Sequence, residues 1–242
     1  MEMRFGKENA GGRLVVSCRT LRSRTLLPAG AFCTLREPDF AILWVVAKAR
    51  EIENQLHRVE AQLHLIQRIA RQLVRTGVLS DSLHLIVGLV SDLMQADSCL
   101  LYLLGEDDLV LVAARDARPN ALGNVRLRLS EGLTGWVARE RRLLAISQEA
   151  YNDSRFKFFR DLPEDTYEAF LSAPVLVGGR VIGVINLQHR RPHAHTGDEM
   201  EMLTTVGELI GCRVTMARLD SGPEQFNYAE LALRTLPAGQ ES

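Results

Sequence analysis

The longest regular pattern along the chain is an apolar repeat between Asp39 and Leu73. Apolar residues recur there at alternating spacings of three and four, which is the a/d pattern of a heptad repeat. Pro38 and Asp39 suit a helix start and Gly77 suits a stop, so we predict one helix over 39–76, about 57 Å long. The stripe consists of Ile42, Val45, Ala49, Ile52, Leu56, Val59, Leu63, Ile66, Ala70 and Leu73.

So narrow and long a stripe favours pairing with a second helix over packing on a globular core. We therefore predict a parallel homodimer through a coiled coil, in which Lys48 at position g and Glu53 at position e meet across the seam. The alternative is a long amphipathic helix packed on its own domain. The predicted dimer interface comprises Ile52, Leu56, Val59, Leu63, Ile66 and Leu73.

The second part of the chain alternates short apolar runs with helical patterns. A helix begins at Ser80 or Asp81, and a closing helix begins at the Thr196–Glu199 capping box and runs to about Arg218. GEDD and Gly178-Gly179 are turn signals that join neighbouring runs as hairpins. This order predicts an α+β fold in which helices pack on one face of an antiparallel sheet and loops cover the other. The predicted strands are 98–104, 109–116, 124–129, 142–146, 168–177 and 181–190.

These patterns divide the chain into four segments. Residues 1–37 are rich in Gly, Arg, Ser and Thr without periodicity, so we expect a flexible N-terminal arm. The coiled-coil dimerisation helix takes 38–77 and the α+β domain takes 78–219. The last segment, 220–242, reads as a flexible tail.

Composition and charge narrow the possible partners. With Lys+Arg 29 against Asp+Glu 30, the net charge is −1, which gives no overall basic field for nucleic acid or an anionic membrane. The longest apolar run, 40–47, is far shorter than the roughly 20 residues that span a bilayer, and the N-terminus is a poor signal peptide. We therefore expect a soluble cytoplasmic protein that binds neither nucleic acid nor membrane.

Candidate metal ligands are few and are interpreted as structural or incidental. Four cysteines are widely spaced without a CxxC pair, which indicates neither a zinc site nor a disulfide framework. His189, His193 and His195 cluster in HRRPHAH, and three imidazoles could bind a metal. The interpretation we prefer is a solvated linker with incidental histidines, so no metal is predicted.

The stretch EGLTGWVARERR, residues 131–142, raises the question of phosphate binding or catalysis. It lacks the spacing and the lysine of a phosphate loop, and it lacks the G-x-S-x-G pattern of a nucleophile elbow. Gly132 suits a turn out of the preceding strand, and a short helix from Thr134 or Gly135 would offer Trp136, Val137 and Ala138 as a packing face. We therefore interpret the stretch as a packing element of the domain, and not as a phosphate-binding loop or a catalytic turn.

Three segments together resemble a GAF domain: EGLTGWVA, SRFKFF and FLSAPV, the last followed by a hairpin and a capped helix. The resemblance covers roughly 80–218 and is nearest to the sensory GAF domain at the N-terminus of enzyme I of the nitrogen-type phosphotransferase system. It implies a ligand-sized pocket between the sheet and its loops, and first and last helices that pack as a dimerisation bundle. The ligand contacts expected there are Tyr102, Trp136, Tyr151, Arg155, Phe156, Phe170, Ser172 and Asn186.

Several activities of similar proteins are not carried over. The sequence has neither a phosphorylated histidine in a Gly-Ser-His context nor a phosphoenolpyruvate-binding barrel, so we expect no phosphotransfer. Only fragments of the cyclic-nucleotide signature survive around Asn186. Free methionine sulfoxide reductases of this fold use several cysteines at the pocket, whereas Cys99 and Cys212 fall outside the pocket loops. No catalytic residue and no cofactor are predicted.

The loop from Tyr151 to Phe159 carries four aromatic residues in a chain that is 6% aromatic. It is either a loop pinned by its aromatics or a lid in which Arg155 holds a carboxylate or phosphate. We predict a non-enzymatic sensory module that binds a small cytoplasmic molecule, unidentified but by analogy anionic, and signals through a helical bundle to a possible protein partner. The alternatives are a small redox enzyme of the sulfoxide reductase kind and a purely structural dimeriser.

Overall fold

The computed structural model describes residues 5–6, 15–16, 37–74, 77–115, 121–156 and 167–221. Helices and strands follow one another along the chain, with one 3₁₀ turn, η1, in the second half. In chain order they are β1 (Phe5–Gly6), β2 (Val15–Val16), α1 (Glu37–Leu73), α2 (Leu79–Leu93), β3 (Ser98–Leu104), β4 (Asp108–Arg115), β5 (Arg126–Arg128), α3 (Gly132–Glu140), β6 (Leu144–Ile146), η1 (Ala150–Asn152), β7 (Ala169–Val177), β8 (Arg180–His189) and α4 (Gly197–Ser221).

The chain forms two compact units, Met1–Arg58 and Val59–Ser242. In the first unit, β1 pairs with β2 in antiparallel fashion, and the rest of the predicted arm lies outside the described residues. At the other end, α4 continues to Ser221, slightly beyond its predicted end, and 222–242 lie outside the described residues.

The second unit is built on a six-stranded antiparallel sheet with the strand order β5-β4-β3-β8-β7-β6. The two predicted hairpins are β3-β4 and β7-β8, and β3 pairs with β8 at the centre of the sheet. The strand alternation therefore predicted the α+β class correctly. The short edge strands β5 and β6 keep three residues each, fewer than their apolar runs suggested.

The two faces of the sheet carry separate apolar clusters. Leu101 and Leu103 of β3 point to one face, where α2 and α4 cover them. Leu100 and Tyr102 point to the other face and pack with Val137 of α3. The expectation that loops alone cover this second face is therefore incomplete, because α3 lies on it.

The glycines of α4 let this helix lie close to β7. A Cβ atom at Gly211 would stand 2.7 Å from Val177 Cγ2 and 3.0 Å from the Leu176 carbonyl oxygen. One turn earlier, a Cβ at Gly207 would lie 3.2 Å from the Pro174 carbonyl oxygen. The two glycines therefore permit a close approach of α4 to β7.

Helix α1 begins and ends within three residues of its predicted bounds, and its C-terminal part has two apolar faces. Leu65 and Ile69, at heptad positions c and g, are 4% and 0% exposed and belong to the core cluster under α2 and α4. Leu63, at position a, is 54% exposed. The apolar stripe is thus offset from the face that packs on the core. Among the described residues, no helix is both long and apolar enough to cross a membrane.

Candidate functional site

The face of the sheet under α3 holds a buried chain of hydrogen bonds. Ser172 Oγ of β7 donates to Asn186 Oδ1 of β8 at 2.6 Å, and Asn186 Nδ2 donates to Thr134 Oγ1 of α3 at 2.8 Å. Ser172 and Asn186 are directly opposite each other in the antiparallel ladder. All three side chains are buried, so their polar groups satisfy one another and fix α3 on the sheet.

Tyr102 lies next to this chain of hydrogen bonds, on the same face of the sheet. Its strand β3 pairs with β8, so that Leu100 faces Asn186 and Tyr102 faces Val184. The tyrosine is 1% exposed and packs in the apolar cluster that includes Val137 of α3. Burial raises the pKa of its phenol, so the ring is neutral at physiological pH.

Arg155 lies at the edge of the same face, over the ring of Trp136. Its guanidinium carbon is 4.7 Å from the ring centroid. Its Nε and Nη2 donate to the two carboxylate oxygens of Asp153 at 2.8 and 2.6 Å. These hydrogen bonds raise the pKa of Arg155 and lower that of Asp153. Asp153 therefore supplies Arg155 with a bidentate charge partner within the loop itself.

The aromatic loop is described as far as Phe156, and its remaining predicted lid residues lie outside the described part of the chain. Phe156 packs against a small cluster of Leu133, Ala150 and Phe170. Tyr151 is half-buried in η1 and donates its hydroxyl to Glu168 Oε1 at 3.3 Å. These contacts hold the start of the loop against β7, as the interpretation of a pinned loop requires.

The eight predicted contacts thus fall into two neighbouring groups. Tyr102, Ser172 and Asn186 are buried in the sheet, whereas Trp136, Tyr151, Arg155 and Phe156 are half-buried around η1 and α3, with Phe170 beneath them. Sequence reasoning missed Thr134 and Asp153. Asp153 stands two residues from Arg155 and could have been found as its partner, whereas Thr134 is 52 residues from Asn186 and only the fold shows the contact.

The three histidines of HRRPHAH come together at the end of β8. The ring centroids of His189 and His193 are 4.3 Å apart with an interplanar angle of 12°, and His195 meets His193 edge-on at 4.9 Å. His189 is buried and the other two are half-buried, so the solvated linker expected here is in fact a packed cluster. Burial and the neighbouring imidazoles lower the pKa of His195 to about 4.

Two of the four cysteines lie in the described residues, and neither belongs to the face under α3. Cys99 is buried in the cluster beneath α2 and α4, where burial raises the pKa of its thiol. Cys212 is exposed on α4. A thiolate nucleophile forms readily where a thiol is partly exposed and its pKa is low, and the buried Cys99 meets neither condition.

The predicted dimer stripe on α1 is open to solvent over most of its length. Ile52, Leu56, Val59 and Leu63 are 56%, 56%, 59% and 54% exposed. The last two interface residues, Ile66 and Leu73, are half-buried, and Ile66 packs against the core of the second unit.

Comparison with known proteins agrees with this architecture. The family model of the GAF domain matches residues 79–214. The GAF domain of the phosphoenolpyruvate-protein phosphotransferase of Acinetobacter is 28% identical in sequence and superposes with a TM-score of 0.60. The match covers 65% of this chain and 95% of the Acinetobacter chain. The corresponding GAF domain from Coxiella burnetii is 22% identical, covers 67% and 97%, and gives a TM-score of 0.63.

Two curated relatives also match the chain. The Nif-specific regulatory protein of Azospirillum brasilense is 28% identical over 137 residues, which are 54% of this chain and 22% of that protein. Its counterpart in Azospirillum lipoferum is 28% identical over 130 residues, covering 51% and 21%. The chain spans about a fifth of the length of these relatives. Since the family model covers more than half of its residues, the chain belongs to the GAF domain family.

Proposed function

We propose that this protein is a non-enzymatic regulatory module of the cytoplasm, in which a small molecule bound beside α3 alters a helical dimer. The GAF family and the Nif-specific regulatory relatives support a regulatory role. Phosphotransfer is no part of the proposal, since the similarity to the phosphotransferases is to their GAF domains alone.

One observation carries the proposal: the C-terminal part of α1 presents two faces at once. Leu65 and Ile69 pack into the core under α2 and α4, while Val59 and Leu63 leave an apolar stripe exposed. A change in core packing would therefore move the same helix whose other face contacts a partner. A ligand shifts such an equilibrium only by binding one of the two arrangements better than the other.

The occupant of the exposed stripe is a second copy of this chain, in parallel orientation. The stripe has heptad spacing and continues through Leu56 and Ile52, whose side chains are more than half exposed. In a parallel in-register dimer, identical residues at positions a and d meet at the seam. A further protein partner would then read the state of the dimer.

The ligand would lie against Trp136, Tyr151, Arg155 and Phe156, which are half-buried and adjoin the rigid hydrogen-bonded part of the sheet. Tyr102, Ser172 and Asn186 would shape the floor rather than contribute free polar groups, since Ser172 and Asn186 already bond within the chain. A carboxylate or phosphate would compete with Asp153 for the guanidinium of Arg155. When the anion replaces Asp153 as the partner of Arg155, the contacts that hold η1 would change.

The redox enzyme is the weaker alternative. It requires a reactive thiol at the ligand face, but Cys99 lies on the opposite side of the sheet with a raised pKa. Conversion of Cys99 or Cys212 to serine would abolish the activity of a thiol-dependent reductase. Under our proposal, neither change affects ligand retention.

Native mass spectrometry of the freshly purified full chain tests the proposed ligand site. We expect a dimer carrying a small molecule, and we expect Arg155→Ala to lose that molecule. Arg139→Ala is the matched control, because Arg139 is an exposed arginine paired with Glu140 on α3. Arg155→Ala should change the unfolding free energy by no more than about 1 kcal/mol, because its ion pair is partly exposed.

The outcomes separate the alternatives. Retention of the same molecule by Arg155→Ala contradicts the assignment of Arg155 as the anion contact. A dimer that carries no small molecule under any purification conditions instead supports the purely structural dimeriser. Loss of trypsin protection at Arg155 on removal of the molecule would show that η1 and its loop respond to the ligand.

A further inference from the structure

The histidine cluster at the junction of β8 and α4 has the composition of a metal site. We propose that His189, His193 and His195 bind one divalent transition metal ion of the Zn²⁺ class. One ring nitrogen from each of the three lies within 4.8 Å of the others. No other group of three histidine, cysteine or carboxylate side chains within the described residues could hold an ion in this way.

The backbone around the three rings is held at several points, so the segment that carries the ligands is positioned in advance. Asp97 Oδ2 accepts a hydrogen bond from the Arg190 amide at 2.8 Å, just after His189. The His193 amide donates to the Ser147 carbonyl at 2.9 Å. The segment that carries the histidines is thereby fastened to the strand ends beside it, which lowers the entropy lost when a metal orders the rings.

One nitrogen in the cluster has a feature that the protein itself does not explain. His195 Nε2 is buried, and it has no hydrogen-bond partner among the described residues. The same ring is held by a hydrogen bond to the backbone of Ile146. A buried polar atom without a partner is costly, and a metal ion would satisfy it.

Glu199 occupies the position of a supporting carboxylate. Its two oxygens lie 3.1 and 3.2 Å from His193 Nε2. A metal-ligating histidine ordinarily hydrogen-bonds to a carboxylate or carbonyl through its second ring nitrogen, which fixes the ring. Glu199 is itself fixed by the capping box of α4, in which it accepts from the Thr196 amide at 2.8 Å. We therefore assign Glu199 as a positioning residue for His193.

The donor set decides the class of metal. Three imidazoles without a thiolate suit Zn²⁺, Ni²⁺, Co²⁺ or Cu²⁺, and they do not suit Mg²⁺ or Ca²⁺, which prefer oxygen ligands. Zinc–nitrogen bonds of about 2.0–2.1 Å place tetrahedral ligand atoms roughly 3.4 Å apart. The most widely separated nitrogens must therefore approach by up to about 1.4 Å, and the stacked rings of His189 and His193 must turn out of their parallel arrangement to share one ion. Three protein ligands leave the fourth position open.

The test uses the full chain, stripped with a chelator and dialysed back, with Zn²⁺ and then Co²⁺ as probes. We expect one equivalent of Zn²⁺ per chain by equilibrium dialysis and a Co²⁺ visible spectrum of the tetrahedral type. His193→Gln and His195→Gln should each abolish this binding. The double variant His57→Gln/His64→Gln should retain it, because these two exposed histidines of α1 lie outside the cluster.

Glu199→Gln gives a graded result, since glutamine preserves the capping box but removes the charge. We expect it to weaken Zn²⁺ binding by about 10–100-fold while the metal-free chain melts at nearly the wild-type temperature. Binding that survives both His193→Gln and His195→Gln, or that disappears in His57→Gln/His64→Gln, overturns the proposal. So does the absence of stoichiometric binding in a wild-type chain whose circular dichroism shows it to be folded.

Discussion

At the level of single residues, the buried contact between Asn186 and Thr134 joins α3 to the middle of the sheet. Its importance lies in what happens when one partner is removed. A buried amide left without an acceptor retains its full desolvation cost, whereas a satisfied pair contributes only modestly. The contact therefore makes the position of α3 specific and also vulnerable.

Thr134→Val removes the acceptor oxygen and preserves the shape of the side chain. We expect it to lower the free energy of unfolding by about 1–3 kcal/mol, because Asn186 Nδ2 then loses its partner in a buried site. Thr205→Val is the matched control: its hydroxyl donates only to the Glu201 carbonyl on the exposed side of α4, so we expect a change within about 0.5 kcal/mol. Urea unfolding measures both, and equal losses would contradict the role assigned to Thr134.

Some of the site residues could be predicted from the sequence, whereas most of their contacts could not. Ser172 and Asn186 were expected in the site through resemblance, but their roles as each other's partners depend on strand register, which joins residues 14 apart. Arg155 was singled out because of its aromatic neighbours, and its partner Asp153 was within reach of local reasoning. The histidines were dismissed as solvated because their burial depends on how the segment after β8 folds back.

At the level of elements, the patterns of apolar residues predicted helices and strands well, because each element buries one face. Edge strands were less predictable, since the ladder ends where pairing ends and not where the apolar run ends. The sequence pattern also did not show that the exposed stripe and the core-packing face of α1 are offset from each other. The a/d stripe dominates the heptad pattern, whereas the two residues of α1 that are buried in the core, Leu65 and Ile69, lie at positions c and g.

The close packing of α4 on β7 gives a prediction at this scale. Gly211→Ala adds a methyl group at 2.7 Å from Val177 Cγ2 and 3.0 Å from the Leu176 carbonyl, so we expect a loss of about 1–3 kcal/mol in unfolding free energy. Gly88→Ala in α2 meets nothing within 4 Å, and the higher helix propensity of alanine should stabilise the chain by up to about 1 kcal/mol. Thermal unfolding compares the two variants. A stabilised Gly211→Ala chain would show that α4 does not rest on β7 as closely as described.

At the level of the whole molecule, we propose that the GAF domain acts through a parallel dimer of α1. The claim joins two observations about this helix: buried residues that reach the domain core and an exposed apolar stripe with heptad spacing. Truncation of a leucine that is fully buried in such a seam would cost about 2–5 kcal/mol.

Disulfide cross-linking at the stripe tests this claim most directly. In a full-length background with Cys18, Cys33 and Cys212 replaced by serine, Leu56→Cys places a thiol at the predicted seam, and His57→Cys places one on the solvent side of the same turn. We expect mild oxidation to convert Leu56→Cys rapidly and almost completely to a covalent dimer, while His57→Cys stays largely monomeric on a denaturing gel. Equal cross-linking of the two variants, or none at Leu56→Cys, would contradict a parallel seam along α1.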